Sequence, residues 1–126
     1  MFEIAAALCA LLLVLTGIVH SLLGERRLIG PLLARNDGIL AVPLARFLIR
    51  YVWHLTSLVW FVLAAILLSI AFSPGNTARV ALIATGIVFT LAGLIDAIGT
   101  RGRHVGWPFL TMIGLAALVA MTQLPA

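Results

Sequence analysis

The chain contains no lysine, a single cysteine and only four acidic residues among its 126. The lone Cys9 excludes an intramolecular disulfide, so the fold does not depend on an oxidising compartment. Lying inside an apolar run, it reads as a small buried hydrophobe. Charged residues make up 10% of the chain and apolar ones 63%, against about 25% and about 45–50% in a water-soluble domain. A soluble fold could not hide this much hydrocarbon, and the mean hydropathy of +1.23 agrees. Long apolar runs are what the chain has in abundance. At about 20 residues per crossing, the length admits four spans with short connections and no sizeable soluble domain. The expected fold class is all-α, an integral membrane bundle of four transmembrane helices forming one domain.

The spans are expected at about 4–23, 51–72, 80–96 and 107–124. The first begins without a basic residue and ends without a small-residue cleavage motif, so it reads as a retained helix rather than a signal peptide. Pro43 and Pro108 suit the first turns of helices. Ser73-Pro74-Gly75-Asn76 is a turn, and Asp96 with Gly99 closes the third run. The connection at 28–42 is too apolar to float in water and too short to cross, so it is expected in the headgroup layer. Pro31 and Asn36-Asp37-Gly38 break it.

Alternation of the spans puts seven of the eight arginines on one side: Arg26, Arg27, Arg35, Arg46, Arg50, Arg101 and Arg103, against Arg79 alone on the other. The positive-inside rule makes that side cytoplasmic and both termini periplasmic. The bilayer itself and its anionic headgroups are the expected partners, with Arg46, Arg50, Arg101 and Arg103 placed to contact lipid phosphates. These arginines flank apolar spans and are not interleaved with exposed aromatics, which argues against nucleic acid. Gly17, Ser21 and Gly24 form a small-residue stripe on the first helix, and Gly86, Thr90, Gly93 and Ala97 another on the third. The two stripes are expected to meet. A homodimer is compatible with so narrow a bundle, but the sequence singles out no face for it.

The chemistry is one-sided. His20, His54 and His104, together with Glu25, Asp37 and Asp96, all fall toward the arginine-rich end, which suggests a polar cavity opening there. Three imidazoles with Glu25 or Asp96 have the donor chemistry for a divalent metal such as zinc, and His20 with His54 could in principle be axial haem ligands, although that uses fewer of the groups. Blander roles stand beside these. His20 and His54 can hydrogen-bond across helices, Glu25 can pair with Arg50, Arg101 or Arg103, and Asp96 can pair with Arg101 or Arg103. Trp53 and Trp107 fit an interfacial aromatic belt. A third reading lets the arginines hold an anionic headgroup while an imidazole acts on it as general acid or base. Ser21 and Ser57 each lie near a histidine in sequence, but adjacency in sequence is not geometry.

The segments His20-Ser21-x-x-Gly24-Glu25-Arg26, Trp53-His54-x-x-Ser57 and Gly102-Arg103-His104-x-x-Trp107 together resemble a group of small uncharacterised bacterial integral membrane proteins of about this length. The resemblance implies a four-helix protein of the bacterial inner membrane and carries no activity, cofactor or partner. The function expected is thus an inner-membrane protein with a His/acid/Arg cluster that binds a divalent metal. The alternative is a structural or accessory protein whose cluster serves packing and lipid contact, and a lipid-headgroup enzyme or b-type haem protein stands behind both.

Overall fold

A computed structural model describes residues 1–125. Within a bilayer no water is available for backbone N–H and C=O groups, so apolar runs of this kind must satisfy them internally, as helices do. Among the described residues four helices result: α1 (Phe2–Ala34), α2 (Pro43–Phe72), α3 (Thr77–Thr100) and α4 (Gly106–Thr122). The first three are long and apolar enough to cross a membrane, whereas α4 has 17 residues, about 25 Å of rise. Single 3-10 turns, Gly38–Ala41 and Pro74–Asn76, lead into α2 and α3.

The first helix does not stop near Leu23. It continues through a π-helical turn, Glu25–Ile29, into a last α-helical turn, Gly30–Ala34. Pro31 explains the widening. It has no N–H to offer Arg27, and its ring crowds that carbonyl, so the backbone just upstream relaxes to an i→i−5 pattern. The Gly30 N–H accordingly donates to the Glu25 carbonyl, and a Cβ on Gly30 would sit 2.9 Å from that oxygen. Segment 28–42 is thus not irregular throughout: its first part is helix with Ile29 and Leu33 buried, and its turn is made by Asn36 and Gly38 at positive φ. The third helix likewise outruns Gly99. It ends where Arg101 adopts a left-handed conformation and the Gly102 N–H reaches the Ala97 carbonyl at 2.7 Å, a Schellman closure.

Packing runs in chain order: α1 lies against α2, α2 against α3 and α3 against α4, with no more than marginal contact between other pairs of these helices. The small-residue stripes of α1 and α3 therefore do not meet. Gly17 and Gly24 receive Phe61 and Trp53 of α2, while Gly86 and Gly93 receive Leu118 and Thr111 of α4. Short connections make sequence neighbours the first surfaces available, and each stripe is consumed by its own hairpin. Cys9 is exposed on the outer side of α1 and not buried.

Candidate functional site

The α1–α2 seam is built from two of the sequence motifs. At Gly24 the helix has no side chain, and a Cβ there would lie 2.5 Å from Trp53 Cζ2. The indole lies in this notch, its Nε1 donating to the His20 carbonyl at 3.0 Å. The His20 ring stacks on it with centroids 4.0 Å apart and meets the edge of Trp60 at 5.0 Å. Trp53 is thus a wedge between helices. His20 is held by its faces, and its Nε2 is buried without a hydrogen-bond partner.

One residue further along each helix, a polar chain crosses the same seam. Ser21 Oγ lies 3.0 Å from His54 Nδ1 and 3.0 Å from Ser57 Oγ, and Ser57 is fully buried. On the other edge of the ring, His54 Nε2 stands 3.3 Å from Glu25 Oε2, close enough for attraction though not aligned as a hydrogen bond. The second carboxylate oxygen of Glu25 takes Arg50 at 3.0 Å. The π turn begins at Glu25, so the residue that faces His54 opens the widened stretch of α1. An ion pair this exposed contributes at most about 1 kcal/mol. Its effect here is to hold the carboxylate toward the imidazole. An ionised carboxylate can only accept, so it favours the tautomer with the proton on Nε2, leaving the Nδ1 lone pair to accept from the Ser21 hydroxyl.

His104 and Asp96 form a separate pair. His104 Nδ1 lies 2.6 Å from Asp96 Oδ2, and the Asp96 side chain is completely buried with Oδ1 unpartnered. Thr100 ties the turn together, its hydroxyl donating to the Asp96 carbonyl at 2.6 Å and accepting the His104 N–H at 3.4 Å. The expected arginine partners, Arg101 and Arg103, do not take this role; the loop folds His104 back over the helix end instead. The five residues expected as one metal centre, His20, His54, His104, Glu25 and Asp96, are therefore divided among three places. Among the described residues no three of His, Cys, Asp and Glu gather as a metal site would require. Of the two histidines considered as axial haem ligands, His20 stacks on Trp53 and meets Trp60 at an edge-on angle, and both nitrogens of His54 face protein groups.

Beside His54 a groove of about 500 Å³ opens between α2 and α3. Leu55, Leu58, Ala92 and Ile95 line its apolar length, and Arg46 and Arg50 stand toward its α2 N-terminal end. Tyr51 also lines it, its hydroxyl donating to the Ala92 carbonyl at 2.9 Å and pinning α2 to α3. Arg46, Arg50 and His54 recur every four residues and so share one helix face. Each arginine is held by one nitrogen, Arg46 on Asn36 Oδ1 at 3.2 Å and Arg50 on Glu25, and keeps donors to spare. Arg101 and Arg103 border an adjoining recess of about 400 Å³ that shares Pro43 with the groove.

Sequence reasoning placed the polar groups at one end but missed the Ser21–His54 link and the fit of Trp53 to Gly24. A signal existed in the spacing: His20, Ser21, Gly24 and Glu25 occupy little more than one turn, as do Trp53, His54 and Ser57, so two such turns in contact must interleave. Comparison with protein-family models, curated proteins and solved structures gave no match, and the functional reading rests on these residues.

Proposed function

We propose that this is a four-span protein of the bacterial inner membrane that binds an anionic phospholipid from the cytoplasmic leaflet. An acyl chain lies in the α2–α3 groove and its phosphate sits against Arg46 and Arg50. The observation that carries this reading is the groove itself: an apolar channel whose charged groups are gathered toward one end, along a single helix face. Depth supports it. The 30 residues of α2 rise about 45 Å, roughly 15 Å more than a hydrocarbon core of about 30 Å. The excess accommodates the stretch that begins at Pro43 and holds both arginines, while Leu55 and Leu58 lie at acyl-chain depth. The asymmetry of seven arginines to one supports a cytoplasmic site and periplasmic termini. At about 25 Å, α4 is near the short limit for a crossing and completes the even number of spans.

The test is lipid retention. In nanodiscs or mild detergent, the protein is expected to retain phosphatidylglycerol in preference to phosphatidylcholine, as read by native mass spectrometry. Near a membrane surface each arginine is worth about 1 kcal/mol toward anionic lipid, so the Arg46→Gln/Arg50→Gln pair should lower the preference about thirtyfold. Equal retention of the two lipids by the unaltered protein, or an undiminished preference in the double variant, would overturn the reading.

A further inference from the structure

The polar chain across the α1–α2 seam has a form that lipid binding does not require. We infer that Ser21, His54 and Glu25 constitute an acyl-transfer site, with Ser21 Oγ the nucleophile, His54 its general base and Glu25 the group that positions the imidazole. For the identity of its substrate, a lipid ester, this rests on the lipid-binding reading; for the nucleophile it rests on geometry alone.

Three observations carry it. The hydroxyl and the base are already within hydrogen-bond distance, Ser21 Oγ to His54 Nδ1 at 3.0 Å, across two different helices. The far side of the ring faces a carboxylate, Glu25 Oε2 at 3.3 Å from Nε2, whose other oxygen is held by Arg50 at 3.0 Å. Nucleophile, base and orienting carboxylate in this order are the elements of a serine acyl-transfer relay. The long, unaligned contact to Glu25 is of the kind that tightens when substrate is bound. Third, the base borders the apolar groove, and Ser21, which it contacts, is half-buried and not sealed in the core. A seam built for packing alone would be served by two hydroxyls. It does not call for an imidazole flanked by a carboxylate that is itself held by a guanidinium. Ser57, buried behind Ser21 at 3.0 Å, fixes the position of the attacking oxygen.

The step balances with water as the only co-reactant. Ser21 Oγ bonds to the ester carbonyl carbon, and its proton passes to His54 Nδ1. The bond from that carbon to the alcohol oxygen breaks, and the proton follows the departing alkoxide to give the free alcohol. Water then attacks the acyl-serine and gives its proton to His54, and the carbon–Ser21 bond breaks. The proton returns to Ser21 Oγ, releasing a carboxylic acid. Glu25 stays ionised throughout and stabilises the transient imidazolium.

The test is covalent labelling of the purified full chain with a fluorophosphonate, mapped by peptide mass spectrometry, alongside hydrolysis of p-nitrophenyl butyrate. The adduct is expected on Ser21. Ser21→Ala should abolish it, His54→Ala should slow it at least a hundredfold, and Ser73→Ala, at the opposite end of α2, should leave it unchanged. Glu25→Gln should alter the pH profile of labelling, which a purely structural carboxylate would not. Mapping on the unaltered protein keeps the outcome independent of whether any variant folds. No adduct on that protein, or an adduct on another serine, overturns the assignment. Because both probes are small and uncharged, labelling of Ser21 without phosphatidylglycerol preference would sink only the lipid-binding reading. Preference without labelling would sink only this one.

Discussion

Replacing Gly24 by alanine is expected to loosen the α1–α2 seam, even though alanine is the better helix former. A Cβ at this position would stand 2.5 Å from Trp53 Cζ2 and 2.8 Å from Nε1, where ordinary contact begins at 3.4 Å. The indole must therefore retreat by about 1 Å. It is a rigid ring stacked on His20 and tied to the His20 carbonyl, so it cannot swing aside as the end of a flexible chain could. Overpacking of this kind costs about 1–3 kcal/mol, and loss of the indole hydrogen bond about 1 kcal/mol more. Against this stands a helix-propensity gain of at most about 1 kcal/mol. The steric term wins, and the net destabilisation is about 1–3 kcal/mol. Titration with SDS in mixed micelles, followed by tryptophan fluorescence, measures it. Gly75→Ala is the reference, because nothing lies within 4 Å of its Cβ. If Gly24→Ala resisted SDS as well as the unaltered chain, the wedge account of Trp53 would be wrong.

Gly93→Ala should be more damaging than Gly24→Ala, because its Cβ would press on the Thr111 amide and the Trp107 carbonyl, backbone that cannot rotate away; cysteine crosslinking between α3 and α4 should report their separation. His104→Ala leaves the buried Asp96 carboxyl without its partner and should cost about 2 kcal/mol, read by the same SDS titration. Most of that loss should return on adding Asp96→Asn, and a double variant no better than the single would show that the pair is not what matters. Incubation with EDTA should leave the SDS midpoint unchanged, since among the described residues no three of His, Cys, Asp and Glu gather; a shift of the midpoint would restore the metal reading. In a Cys9→Ser background, the proposed orientation has Arg103→Cys react with an impermeant maleimide only after the membrane is opened, and Gly75→Cys before it. The reverse order would invert the topology.

The long apolar runs and the turn at Ser73 to Asn76 made the helices legible, because hydrocarbon of that length has few alternatives in a polypeptide. The gathering of histidines and acids at one end was equally readable from position alone. Pro31 misled: it was read as a break, but the helix absorbs it by widening a turn, a relaxation that depends on Gly30 tolerating the Glu25 carbonyl. The helix pairing misled for a different reason. Small-residue stripes announce close approach without naming the partner, and loop length, not stripe chemistry, made α2 and α4 the recipients. Likewise three histidines at similar depth say nothing about azimuth around the helix, which sent His20 to the tryptophans, His54 to Ser21 and Glu25, and His104 to Asp96.

That each helix rests on its predecessor has a consequence for biogenesis. Every substantial interhelical surface joins segments made one after the other, so no partner has to wait for a distant stretch of chain to be synthesised. The Ser21–His54 link can close as soon as the second helix leaves the insertion machinery, before α3 and α4 exist. Loop-closure entropy stays small at every stage, and assembly can keep pace with translation.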